Sequence, residues 1–223
     1  EDFNLEPVSA GPIQRYDFNE TFTQNGAPVG QSPTHTGFIG VSSSQIYTDG
    51  GFGWSQQPGE YDNGTNTAAV ADLVNDGHTF TPSSGVVTPT FSATVGNGWV
   101  LATVTFGHPD QPMDGVRVEN GDTGAIIIDG LSTAAGETDH FTLPVLVEDG
   151  SLNLRFVDPF SNPRGGRLIS INAIEIIPAD LSGMGFLPPM TPLVADGTTV
   201  DSFPMFGGPA NSLVTVEASL GTP

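Results

Sequence analysis

Apolar and polar residues alternate in short runs along most of this chain, and the clearest run is residues 99–106. There Val100, Ala102, Val104 and Phe106 fall on one side, and Trp99, Leu101, Thr103 and Thr105 on the other. That period of two predicts a strand with one buried face. Similar runs occupy residues 13–18, 38–41, 78–81, 89–95, 115–119, 125–129, 140–147, 152–157 and 168–177. Gly96-Asn97-Gly98 and Glu148-Asp149-Gly150-Ser151 separate neighbouring runs with residues that tolerate positive φ. Residues 19–36 and 56–66 are polar and rich in Gly, Pro and Asn, so they read as loops. A helical turn fits only at residues 68–74.

Strands at this spacing, with turns between, predict an all-β fold, an antiparallel β-sandwich or jelly roll. The pattern assigns residues 1–12 to a leader, 13–178 to the sandwich and 179–197 to a Pro/Gly linker. Residues 198–223 form a strand segment or the start of a further module. Its weak strands at 198–200 and 212–218 are too short to bury a core alone.

Charge narrows the partners. The 223 residues carry 25 acids against five arginines and no lysine, a formal charge of -20. Nucleic-acid binding needs a basic patch that five scattered arginines do not supply. Anionic membranes repel such a chain, and no apolar run is long enough to span a bilayer. With 37% hydrophobic residues and 14 phenylalanines in dense runs, the chain is not disordered. The acidity, missing lysine and low charged fraction point to an extracellular or cell-surface protein, and Glu1-Asp2 reads as a mature or trimmed end.

Motifs in order carry a family resemblance. They are Arg15-Tyr16-Asp17-Phe18, Gly37-Phe38-Ile39-Gly40-Val41, Ile46-Tyr47 and Gly51-Phe52-Gly53-Trp54. Residues 100–108, 131–136 (LSTAAG), 150–156 and 172–176 (NAIEI) follow. Together they resemble the galactose-binding-like, malectin-like β-sandwich that precedes the catalytic part of rhamnogalacturonan acetylesterases and recurs in large bacterial secreted proteins. The chain departs from that pattern at Asn19, where the family often has Gly, and in its rearranged loop 107–114. The acetylesterase nucleophile motif, Gly-Asp-Ser, has no counterpart here. The resemblance implies a non-catalytic, sugar-binding module.

The residues themselves single out no catalytic set. There is no cysteine, no nucleophile elbow, and the four histidines are scattered. Transition-metal ligand spacing is absent too. No cofactor is required. A structural calcium ion is a candidate, because residues 61–66 and 119–124 are oxygen-rich, although ordinary turns favour the same residues. In sandwiches of the resembling kind an ion sits between the first and last strands, which implies Asp17, Asn19, Glu20, Asn172 and Glu175.

Glycan binding needs aromatic rings against C–H faces and a few oriented polar groups. Tyr47 and Tyr61 lie beside polar loops, and Trp99 lies opposite the apolar side of its strand. Trp54 belongs either to the core or to a rim. His108, Asp110, Asp114, Asn162 and Arg164 are loop residues suited to orienting hydroxyls. The strong negative charge favours a neutral glycan. The other partner reading is a neighbouring domain or second copy in an extracellular assembly, joined by adding the 212–218 strand to a sheet edge.

Overall fold

The computed structural model describes residues 11–19, 21–24, 27–31, 33–48, 50–62, 73, 75–81, 88–158, 168–179, 194–195 and 198–199, with backbone alone for 21–24, 27–31 and the last two pairs. The chain divides into two compact units, Val8–Ala179 and a second made of Glu1–Pro7 with Asp180–Pro223. Within the second, Val194–Ala195 and Thr198–Thr199 pair as a short antiparallel ribbon. The expected strand at 212–218 lies outside the described residues, as does the expected helical turn at 68–74 apart from residue 73.

The larger unit is all β, and among the described residues it has no helix. In chain order its strands are β1 (Gln14–Phe18), β2 (Thr21–Gln24), β3 (Ala27–Gln31), β4 (Ile39–Val41), β5 (Phe52–Trp54), β6 (Gly59–Asp62), β7 (Asp76–Phe80), β8 (Thr90–Thr94), β9 (Gly98–Gly107), β10 (Met113–Asn120), β11 (Ile126–Thr133), β12 (Thr138–Val147), β13 (Ser151–Val157) and β14 (Ile169–Pro178). One sheet runs β12-β9-β14-β1-β4, with β7 also on β14 and β6 on β7. The other runs β11-β10-β13-β8-β5. The two pack face to face as a jelly-roll β-sandwich.

The alternation legible in the sequence decides which faces meet. Val100, Ala102, Val104 and Phe106 of β9 are buried, as are Leu152, Leu154 and Phe156 of β13 and Val116 and Val118 of β10. On β14 the buried isoleucines change parity, from Ile169 and Ile171 to Ile174 and Ile176. A bulge explains this: Ile171 pairs with Phe106 and Ala173 with Thr105, so Asn172 is the extra residue and resets the alternation. Pro144 sits in β12, an edge strand, where its missing N–H costs no ladder bond.

Two stretches read as loop are strands. Residues 59–62 form β6, whose Gly59 to Asp62 pair with Thr79 to Asp76 of β7. Four residues with one aromatic carry too little periodicity to announce a strand, and it is the partner that makes them one. β2 and β3 pair as a hairpin within the expected 19–36 loop. The Asn25-Gly26 dipeptide between them is the short-range signal that marks such a pairing.

Candidate functional site

β14 serves two partners on one edge: its Ala173–Ile176 stretch pairs with β1, and Ile169–Ile171 with β7. Asn172 stands at this fork. Backbone groups there lose regular ladder partners, and side chains replace them. Asn172 Nδ2 donates to the Asp76 carbonyl at 2.7 Å and to the Tyr61 hydroxyl at 2.6 Å. Asn19 Nδ2 donates to Asp76 Oδ2 at 3.2 Å, and its Oδ1 accepts from Thr34 Oγ1 at 3.1 Å. Asp17 Oδ2 accepts the His35 backbone N–H at 2.7 Å. Asp17, Asn19, Asp76, His78 and Asn172 are all buried.

Beneath the fork, Trp54 Nε1 donates to His78 Nδ1 at 2.9 Å. His78 therefore keeps its proton on Nε2, which faces the Asn19 carbonyl at 3.3 Å. Burial lowers the pKa of His78 to about 4, against the pull of that carbonyl and of Glu60, so the ring is neutral at pH 7.

The network reaches the surface at Tyr61. Its hydroxyl donates to the Gly107 carbonyl at 2.9 Å, which Ser170 Oγ also reaches at 2.6 Å. Burial pushes the Tyr61 phenol up to about 12, so it stays protonated. Gly107 adopts a φ of 146°, and a Cβ there would lie 2.3 Å from the Glu137 carbonyl oxygen. Only glycine turns the chain this closely at the end of β9. The next residue, His108, places its ring 4.3 Å from that of Tyr61. Its Nδ1 accepts the Asp110 backbone N–H at 3.1 Å, which leaves the proton on Nε2. Burial lowers the His108 pKa, partly offset by Asp110, and keeps the ring neutral.

Tyr61, His108 and Asp110 are thus brought together: a half-buried phenol, a buried imidazole with an assigned donor, and an exposed carboxylate. Among the described residues, the other proposed sugar contacts do not join them. Of the two places left open for Trp54, the structure gives the core and not the rim: it is 0% exposed and packs on Phe18, Phe80, Phe91 and Phe156. Tyr47 lies by the five-stranded sheet, its hydroxyl 3.2 Å from Ser151 Oγ. Trp99 is half-buried on the outward side of β9, as its parity required. Asp114 lies on strand β10, not on a loop, with Ser132 Oγ at 3.5 Å. Asn162 and Arg164 lie outside the described residues. Asn19, Asp76, His78 and Ser170 were not singled out as sugar contacts or as their supports, because only the fork brings them together.

Of the residues expected to hold calcium, Asp17, Asn19 and Asn172 lie at the fork and Glu175 lies apart from them. Glu175 lies between core-facing Ile174 and Ile176 and pairs with Arg15 on the outer face. Asn19 spends its oxygen on Thr34, and Glu20 lies outside the described residues. Among the described residues no group of three His, Cys, Asp or Glu side chains is placed to hold an ion. Two buried oxygens, Asp17 Oδ1 and Asn172 Oδ1, have no hydrogen-bond partner. Burial, opposed by the bonds from His35 and Asn19, raises the pKa of Asp17, so its charge at pH 7 costs stability. Asp17→Asn keeps an acceptor for His35 and removes that charge. It is expected to raise the melting temperature, with or without chelator. A loss of stability that appears only in calcium would instead place an ion on Asp17.

No protein-family model matches this chain, and no curated protein does. Solved structures of similar shape include the Bacillus subtilis protein YXIM, at 21% identity over 75% of this chain and 40% of that one, with a TM-score of 0.48. The plant receptor-like kinase FER matches at 16% identity over 75% of this chain and 42% of its own, TM-score 0.47. The CBM36-1 domain of a multidomain xylanase from the hindgut metagenome of Trinervitermes trinervoides matches at 14% identity over 56% of this chain and 87% of its own, TM-score 0.38. The matched region spans less than half the length of the first two. The sandwich assignment rests on the strand order and register described above.

Proposed function

We propose that the sandwich is a non-catalytic carbohydrate-binding module of an extracellular or cell-surface protein, with a ligand site at the rim formed by Tyr61, His108 and Asp110. The observation that carries this reading is the Tyr61–His108 ring pair, 4.3 Å apart and held from below by Asn172 and the Gly107 carbonyl. Groups fixed before binding lose little entropy on meeting a ligand. The pair supplies ring surface and one N–H donor, and Asp110 supplies an acceptor, which suits a sugar hydroxyl beside a C–H face. His78 and His108 each use Nδ1 as an acceptor for an N–H, from Trp54 and Asp110, rather than activating a hydroxyl. The motif resemblance supports the same class of ligand.

The test is retention of the full chain on a panel of immobilised polysaccharides, with calcium and again with chelator. Saturable retention of the wild type is expected, unchanged by chelator. Asp110→Ala, at an exposed position, should weaken it roughly tenfold, or about 1.4 kcal/mol, while its melting curve stays put. No retention on any polysaccharide, with concentration-dependent assembly in sedimentation, would replace this reading by a structural one. The ten-residue edge strand β12 is the natural docking edge for that alternative.

A further inference from the structure

The outward face of the five-stranded sheet carries a lattice of paired polar side chains in two adjacent groups. Core residues alternate with outward ones over Val116–Glu119 of β10 and along β13, so Arg117, Glu119, Asn153 and Arg155 point away from the core, and the buried Ser92 of β8 lies beneath Asn153. Glu119 pairs in register with Arg155, and Asn153 with Ser92. Arg155 donates from Nε and Nη2 to Glu119 Oε2 at 2.9 and 2.5 Å. Arg117 Nη2 reaches Asp129 at 2.9 Å, and its Nη1 lies 3.9 Å from the other Glu119 oxygen. Beside this row, Asn153 Nδ2 donates to Asp122 at 2.7 Å and its Oδ1 accepts from Ser92 Oγ at 2.5 Å.

We infer that this face is a second ligand site of the module, a platform for an extended, uncharged polysaccharide. The inference rests on the carbohydrate-binding reading but not on the rim. Two of the chain's five arginines lie here, each against carboxylates, so the row has little net pull on an ion of either sign. What it offers is closely spaced donors and acceptors. A sugar hydroxyl both donates and accepts, and neighbouring hydroxyls match a guanidinium–carboxylate pair. An anionic chain would meet Glu119, Asp122 and Asp129 together with the formal charge of -20. The mutual pairing holds these long side chains in place before a ligand arrives, which lowers the ordering cost. From β11 to β8 the lattice crosses three strand spacings, about 14 Å, so it fits a chain rather than a single sugar.

Affinity electrophoresis of the full chain tests this, in gels cast with galactomannan or xyloglucan and with polygalacturonate as the anionic control. The wild type is expected to be slowed by a neutral polymer and not by polygalacturonate. Arg155→Ala and Asn153→Ala should each weaken that retardation at least tenfold with unchanged melting curves. Arg155→Lys, which keeps the charge and loses the fork, should weaken it too. Retardation of all three variants equal to wild type, with Asp110→Ala weakened, overturns the platform and leaves the rim. Retardation by polygalacturonate alone overturns it as well. A wild type slowed by none of the three polymers, and retained on no polysaccharide of the wider panel, overturns platform and module together.

Discussion

Trp54→Ala is expected to destabilise the sandwich by about 3–5 kcal/mol, the range for removing a large aromatic from a packed core. The side chain is 0% exposed, and its ring lies within 6 Å of those of Phe18, Phe80, Phe91 and Phe156. It touches β1, β7, β8 and β13, so the cavity would open where both sheets meet. The substitution also leaves His78 Nδ1 buried without its donor, a penalty beyond the lost packing. Domains of this kind have about 5–15 kcal/mol in total, so the variant should unfold at much lower urea concentration. Trp54→Phe should cost less, because it keeps one aromatic ring in the core while losing the pyrrole ring and its N–H. Urea curves followed by circular dichroism give the result. Glycan retention lost at wild-type stability would move Trp54 to the ligand site and refute the core placement.

Acid should destabilise the fold through His78. In the folded state its pKa is lowered to about 4, whereas in the unfolded chain it returns to its ordinary 6.5. A base with a depressed folded pKa contributes full stability above 6.5. As the pH falls below that value the unfolded chain takes up a proton that the folded one refuses. The loss grows until the pH reaches about 4 and amounts to about 3 kcal/mol. His108, also lowered by burial, acts in the same direction. Asp17 acts oppositely: its raised pKa means the folded state is protonated first, so its contribution rises as the pH drops. Unfolding free energies of wild type and His78→Gln across this range isolate the His78 share. The glutamine amide still accepts from Trp54 and still donates to Asn19 but does not titrate. Equal pH dependence in both proteins would remove His78 as the cause.

Much of the architecture was legible because burial on one face of a strand writes a period of two into the chain. β9 and β13 were readable this way, and so was the outward parity of Trp99, whereas β14 was readable as a strand but not in its change of parity at Asn172. β6 was not, since four residues gain strand character only by pairing with β7. Trp54 was ambiguous for a related reason. Gly51-Phe52-Gly53-Trp54 is too short to declare a face, and its direction is decided by pairing with Phe91 of β8. Of the candidate site, Tyr61, His108 and Asp110 were nameable from residue type and neighbouring loops. Their meeting depends on the turn at Gly107, and the brace that Asn172 Nδ2 gives Tyr61 is visible only in the structure.

By itself, then, the sequence determined the all-β class, the inward faces of β9 and β13 and the strong negative charge of the chain. Those properties are local or additive: a side chain's parity, a propensity, a sum of charges. The tertiary structure alone decided the fork at Asn172, the neutral His78 beneath it, the Tyr61–His108 rim and the lattice linking Arg117, Glu119 and Arg155. Each joins residues tens of positions apart, through a bulge or a cross-strand register. A one-residue shift in pairing would turn every one of those side chains to the other face.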